Sequence, residues 1–172
     1  MTNGDPAALG EADLDTWAAF ATVLEWLPAA LDAQLTRDSD LTHFEFGVLF
    51  ALEGAPDRAL RMSELASYSN SSLSRLSRAV SRLEARDWIR RTPDPDDGRS
   101  IKAVLTDTGL EAVAAASPGH VATVSRLVLD PLTSAQRRQL REISTRIQRA
   151  IRAQEGWRPG STPPPASTAR RS

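Results

Sequence analysis

Residues Ser63 to Leu105 read SELASYSNSSLSRLSRAVSRLEARDWIRRTPDPDDGRSIKAVL, and the rest of the chain is arranged around them. Between Asn70 and Ala85, Leu73, Leu76, Val80 and Leu83 recur at steps of three and four, which places them on one side of a helix. Ser71, Ser74, Arg75, Arg78 and Arg82 share the opposite side at the same spacing. One side is therefore built to pack, and the other presents short hydroxyls and guanidiniums with almost no acid. Asn70, or Ser69 before it, stands where a side chain can accept from the first free amides of the helix. On these residues alone two readings of the outward side stay open. It is an ordinary solvated basic surface, or it suits the major groove of duplex DNA. In the second case Ser71, Ser72 and Ser74 let the backbone approach phosphates, and the arginines reach phosphate or guanine edges in bidentate fashion. The helix N-terminus itself also favours a phosphate.

The flanks bear on the choice. Met62 to Ser67 reads as a short helix, and Tyr68-Ser69-Asn70 supplies the turn of a helix-turn-helix. On the other side Trp88-Ile89-Arg90-Arg91 reads as a short strand. Thr92 to Arg99 is dense in turn formers, and Ser100 to Leu105 alternates like a second strand. A helix-turn-helix followed by a hairpin with basic residues at its tip is a winged helix. The predicted fold is mainly α with a small β-hairpin wing, its core flanked by N- and C-terminal helices.

The chain resembles the MarR-type winged-helix transcription regulators. The resemblance is carried by M-S-E-L-A at Met62 to Ala66, S-S-L-S-R-L-S-R at Ser71 to Arg78, R-L-E at Arg82 to Glu84, and D-x-R-x(5)-L-T as Asp97, Arg99, Leu105 and Thr106. L-T-x-x-E-F at Leu41 to Phe46, P-G-H-V at Pro118 to Val121 and D-P-L-T at Asp130 to Thr133 extend it, so that it runs from roughly Thr16 to Ala153. One departure is Asp87, where the family usually has glycine; aspartate tolerates the left-handed backbone such a position needs, at some cost.

The resemblance implies a homodimeric, sequence-specific regulator, a repressor, on a pseudo-palindromic duplex. Asn70, Ser71, Ser72, Ser74, Arg75, Arg78 and Arg82 would serve groove and phosphates, and Arg99 the flanking minor groove. Asp97 would orient Arg99 by a salt bridge. Relatives often bind a small, commonly anionic phenolic effector between the dimer region and the reading head, which makes Trp17, Trp26, His43, Phe44 and Phe46 the lining candidates. A residue of each of these kinds is more often simply part of the core. The alternative function is a winged-helix module for protein contacts without specific DNA binding.

Outside the reading head, Leu14, Trp17, Ala21, Leu24, Leu31 and Leu35 form a helical stripe with Pro28 on it, predicting a kink or break near Glu25 to Leu27. By resemblance this helix belongs to the dimerisation region. Thr42 and Glu45 make a capping box for a helix over Thr42 to Glu53, whose Phe44, Val48, Leu49 and Leu52 should pack under the reading head. Arg61-Met62 suits a short strand against the wing. Thr106 caps a helix from Asp107 towards Ala116, Ser117-Pro118-Gly119 interrupts it, and a helical pattern resumes over His120 to Leu129. Thr133 and Gln136 form a second capping box, before a last helix with Leu140, Ile143, Ile147 and Ile151 at helix-interface spacing. Its six arginines, from Arg137 to Arg152, either pair with the acidic N-terminal segment or stand solvated. The expected organisation is a tail over 1–10, one domain over 11–155, and a Pro/Ser/Arg tail over 156–172. Within the domain the reading head spans about 58–106, and the dimerisation helices about 11–36 and 118–155.

The net charge of −1 hides a polarised chain. Residues 1–60 hold two basic and eleven acidic side chains, residues 61–102 nine and six, and residues 137–158 seven and two. Positive charge thus gathers at the reading head and the last helix. With no cysteine there is no disulfide or thiolate site, and cysteine-based peroxide sensing, known in some of the resembled family, is excluded. His43 and His120 lie far apart in sequence outside any metal-binding spacing, so structural roles are expected of both. Asp94, Asp96 and Asp97 hint at calcium. With Gly98 as the sixth position of a calcium loop, however, the first and third would be Pro93 and Pro95, and the reading fails. No phosphate loop or nucleophile elbow is present. Neither an enzyme nor a cofactor is expected, nor a membrane partner, and the expected location is the cytoplasm.

Overall fold

The computed structural model describes residues 9–95 and 97–153. Residues 1–8 of the tail expected over 1–10, the whole tail expected over 156–172, and Asp96 lie outside the described residues. Six α-helices and three strands follow in the order α1 (Glu11–Ser39), α2 (His43–Glu53), a 3-10 turn (Pro56–Arg58), β1 (Ala59–Arg61), α3 (Met62–Tyr68), α4 (Leu73–Ala85), β2 (Ile89–Asp94), β3 (Asp97–Leu105), α5 (Asp107–Val124), a π-helical turn (Ser125–Leu129) and α6 (Ser134–Arg152). The sheet is antiparallel in the order β1-β3-β2, with Ala59 opposite Val104 and Ile89 opposite Leu105. The fold is a winged helix-turn-helix carried on long helices.

Apolar residues from every element of the reading head meet in one core. Leu49 and Leu52 of α2, Leu65 of α3, Leu76, Val80 and Leu83 of α4, Ile89 of β2 and Val113 of α5 are each 0–1 % exposed, and Leu35 of α1 joins them. The capping boxes fall where the sequence places them. The Thr42 hydroxyl accepts from the Glu45 amide while Glu45 accepts from the Thr42 amide, and Thr133 and Gln136 repeat the arrangement.

Several expectations are corrected by tertiary contacts. α1 runs unbroken through Pro28, which sits on an exposed stretch where water can take over the carbonyl its missing N–H releases. Its predicted stripe splits: Leu31 and Leu35 are buried, whereas Leu14, Trp17 and Leu24 are half exposed. α5 likewise continues through Ser117-Pro118-Gly119. The Ser117 hydroxyl donates to the Val113 carbonyl, and a Cβ at Gly119 would sit 3.0 Å from Nε2 of Gln34, so the close passage of α1 over α5 uses that glycine. The hairpin strands are longer than predicted, because Thr92, Pro93 and Asp94 pair across to β3. Pro93 is tolerated because β2 is an edge strand.

The turn at Asp87 survives the replacement of glycine. Asp87 is left-handed at φ 57°, and its amide donates to Glu84 O at 2.9 Å while Trp88 N donates to Leu83 O at 3.0 Å, a Schellman closure of α4. The Asp87 carbonyl accepts from the hydroxyls of Thr106 (2.6 Å) and Thr108 (2.5 Å), which ties this turn to the start of α5.

Candidate nucleic-acid interface

α4 begins at Leu73, later than the periodicity suggested, and its cap is Ser72, whose hydroxyl accepts from the Arg75 amide at 3.2 Å. Neither Ser69 nor Asn70 caps it. The Ser69 hydroxyl turns back to Leu65 O, and Asn70 is an exposed left-handed turn residue at φ 45°. Leu73 also departs from the packed side: it is 55 % exposed, and Ala79 takes a place in the core instead.

Ser72, Ser74, Arg75 and Arg78 are exposed along one side of α4, with Ser71 half-buried at its approach. Among the described residues no carboxylate pairs with Arg75, Arg78 or Arg99. Arg78 Nε donates to the Ser74 carbonyl of its own helix at 3.4 Å, and Arg75 lies over the Phe44 ring at 4.4 Å. Arg82 is different. Its Nε donates to Oε1 of Glu45 at 2.6 Å, tying α4 to α2. Burial raises the pKa of Glu45, but the Thr42 amide, the Arg82 guanidinium and the Thr42 hydroxyl together hold it below the usual value.

In the wing, Asp97 braces Arg99 through the backbone. Its carboxylate accepts from the Ser100 hydroxyl (2.7 Å) and from the Arg99 amide (3.2 Å), and these two bonds lower its pKa. No salt bridge between Asp97 and the Arg99 guanidinium forms, which corrects the expected role: the loop is shaped and the side chain is left free of Asp97. Asp94, 1 % exposed at the end of β2, receives Arg61 Nε of β1 at 2.5 Å and Lys102 Nζ of β3 at 3.0 Å. These three residues join all three strands at the base of the tip. The alternation in the sequence gave no hint of them, because the partners are 33 and 8 residues apart from Asp94 along the chain.

Of the five aromatic or histidine candidates for a ligand cleft, two line one. A groove of about 540 Å³ between α1, α2 and the α3–α4 turn is bounded by Pro28, Asp32, His43, Phe44, Tyr68 and Arg75 among others. Phe46 is buried in the core, and Trp17 and Trp26 are 53 % and 74 % exposed on α1, away from this groove. The separation in sequence of the two histidines is closed by the fold. His43 stacks on His120 at 5.6 Å, Phe46 lies 4.7 Å from His120, and both Nδ1 atoms are buried without a hydrogen-bond partner among the described residues.

Burial depresses the pKa of both imidazoles, with Asp32 opposing the effect at His43 and a charge on His43 adding to it at His120. A depressed histidine stabilises the fold above its unfolded value, near 6.5, and that stability is lost as pH falls through the window below it. As pH falls below about 6.5 the melting temperature should therefore drop, and His120→Phe should flatten that drop. Perturbed carboxylates such as Glu45 titrate at lower pH, so an equal slope in the variant would show that the pair is not its source.

Along α6 no described residue is buried: Leu140, Ile143 and Ile151 are 38 %, 54 % and 45 % exposed on one stripe. No described helix is long and apolar enough to cross a membrane, and no cluster of three metal-ligating side chains occurs among the described residues.

This architecture defines a winged helix-turn-helix protein with a basic reading helix and an arginine-bearing wing. The MarR family model matches residues 39–100. The structure is similar to that of Sco3205 of Streptomyces coelicolor, a MarR family transcriptional regulator solved in complex with DNA, at 37 % identity and a TM-score of 0.83 over 94 % of this chain and 98 % of that one. AbsC from the same organism, also a MarR family transcriptional regulator, matches at 31 % identity and a TM-score of 0.80 over 86 % and 99 %. The regulator PecS of Dickeya dadantii is 31 % identical over 109 residues, 62 % of this chain and 64 % of that protein. With YdcH of Bacillus subtilis the match covers 55 % of the relative, so the chain spans between half and two thirds of the curated relatives it matches. The chain belongs to the MarR family, whose members are transcription regulators and not enzymes.

Proposed function

We propose that this chain is a sequence-specific double-stranded DNA-binding repressor that works as a homodimer on a pseudo-palindromic operator and is released by a small phenolic effector. The observation that carries the reading is the exposed Ser72, Ser74, Arg75 and Arg78 surface of α4, free of carboxylate partners among the described residues and set beside Arg99 of the wing. The relative with 37 % identity was solved on DNA. α4 would enter the major groove, with Ser71 and Asn70 at its approach. Arg99 would enter the adjacent minor groove, whose narrow A·T-rich form attracts arginine. Arg82, held by Glu45, would orient α4 and contribute charge.

The organisation proposed with this reading is a head over about 58–106 on dimerisation helices over about 11–36 and 118–155. Exposed leucines, tryptophans and isoleucines on α1 and on α6 support it, since so many large apolar side chains left in water on these helices are accounted for by a partner that covers them. Twofold symmetry would set two α4 helices about 34 Å apart on one side of the duplex. An effector in the groove beside Phe44 would compete for Arg75, which lies over that ring, and would shift the heads by binding one arrangement better than the other.

The test is a gel-shift titration on duplex from the gene's own upstream region, at two salt concentrations and with an unrelated duplex as competitor. Binding that resists the competitor and weakens steeply with salt is expected, because phosphate contacts release counterions. Arg99→Ala should weaken it roughly tenfold with little change in melting temperature. Equal weak binding to both duplexes would count against sequence specificity, and no binding by a folded dimer would favour a module for protein contacts.

A further inference from the structure

We infer that Arg91 is a positioning residue that sets the angle of the wing against α4, so that Arg99 reaches its groove when α4 is seated in its own. The inference rests on the DNA-binding reading above. Arg91 is the third residue of β2 and pairs in register with Ala103 of β3, so its backbone belongs to the wing. Its side chain reaches back and grips α4 at three successive levels. Nη1 donates to Oε2 of Glu84 at 2.6 Å, and Nη2 donates to the Ser81 hydroxyl at 3.0 Å and the Ser77 carbonyl at 2.8 Å. The backbone amide of Arg91 donates to the other Glu84 oxygen at 3.2 Å, so both oxygens of that carboxylate are committed to this one residue.

Ser77, Ser81 and Glu84 lie four and three residues apart, which lines them along one side of the helix. A planar guanidinium bonded to such a row fixes direction as well as distance, which a lysine ammonium cannot do. With its side chain 27 % exposed and both Nη atoms bonded to α4, Arg91 differs from Arg75, Arg78 and Arg99. It also forms one wall of a cleft of about 340 Å³ between α4 and the wing, floored by Met62 and Ser63 of α3 and shared with Leu73, Ser77, Arg99 and Ile101. The sugar-phosphate strand separating a major groove from its neighbouring minor groove must pass between the two elements that read them, and this cleft is the space between α4 and the wing. The width of that passage is set by the element that ties β2 to α4, and the polar part of that tie is Arg91.

The test uses the full chain as wild type, Arg91→Met, Arg91→Lys, Arg99→Ala and the Arg91→Met/Arg99→Ala double variant, with a duplex selected by the wild type from a random-sequence pool as probe. Arg91→Met keeps the apolar stem and should lower affinity about tenfold. The loss should not add to that of Arg99→Ala, because a displaced wing has already forfeited what Arg99 contributes. Arg91→Lys should recover only part. Without DNA, amide hydrogen exchange in β2 and β3 should quicken in Arg91→Met, while the core amides of α4 around Leu76 and Val80 stay protected. Unchanged exchange in the wing, wild-type affinity in Arg91→Met, or losses that add in full would each overturn the inference. Should the wild type select no duplex at all, the DNA-binding reading falls, and the exchange experiment still decides whether Arg91 holds the wing.

Discussion

Gly109→Ala is expected to destabilise the fold by about 3 kcal/mol and to lower the melting temperature by roughly 10 °C. Position 109 lies in the first turn of α5, where alanine would ordinarily gain about 1 kcal/mol over glycine from helix propensity. Packing reverses the sign. A Cβ there would stand 2.1 Å from the Trp88 carbonyl oxygen and 2.8 Å from Leu105 Cδ1. The first of these is backbone and is itself engaged, since Trp88 O accepts the Thr106 amide at 3.1 Å. Relief therefore means moving the start of β2 away from the start of α5 and loosening the Asp87 turn that Thr106 and Thr108 hold. The wing would loosen with it, so DNA affinity should fall as well. Calorimetry of the single variant checks this, and an unchanged or raised melting temperature would show that the close approach relaxes at no cost.

The second large effect concerns assembly. Glutamate at both Ile143 and Ile151 should leave the folded monomer almost untouched, because these side chains are 54 % and 45 % exposed in the single chain and surface substitutions ordinarily change stability by less than about 0.5 kcal/mol. If α6 is covered by a second copy in solution, the same changes place charges in an apolar contact where each isoleucine contributed about 1.5 kcal/mol or more. The variant should sediment as a monomer. Its operator affinity should fall by roughly a hundredfold or more, because two linked heads on one duplex bind with an effective concentration that a lone head lacks. A variant that still sediments as a dimer and binds as before would move the dimer contact away from α6. Normal dimers without DNA binding would separate the two halves of the proposed function.

Much of the reading head was legible from local chemistry. The 3.6-residue spacing of Leu76, Val80 and Leu83 gave α4 and its packed side, the Thr42/Glu45 and Thr133/Gln136 pairs gave two helix starts, and turn formers around Pro95 gave the hairpin. Each signal acts over four residues or fewer, within the range of a single turn of chain. The misreadings share the opposite character. Pro28 and Pro118 looked like breaks because proline opposes a helix locally, yet exposure at both sites and the close α1–α5 passage at Gly119 outweighed that cost. Leu73 matched the stripe but falls at the first turn, beyond the reach of the core. The groove beside Phe44 is formed from residues of α1, α2, α3 and α4 that no spacing links, and so was not legible in the sequence.

The order of elements, the basic side of α4, the caps of α2, α5 and α6 and the polarised charge were therefore determined by the sequence itself, since each follows from backbone propensity, side-chain period and ionisation state. Only the tertiary structure decided which arginines are engaged and which stand ready. It bound Arg82 to Glu45, Arg91 to Glu84 and Arg61 to Asp94, and left Arg78 and Arg99 without a carboxylate among the described residues. It also brought His43 against His120 across 77 residues of chain. Ion pairs and ring contacts depend on distances of a few ångströms between distant segments, and such distances exist only once the core has fixed how the helices cross.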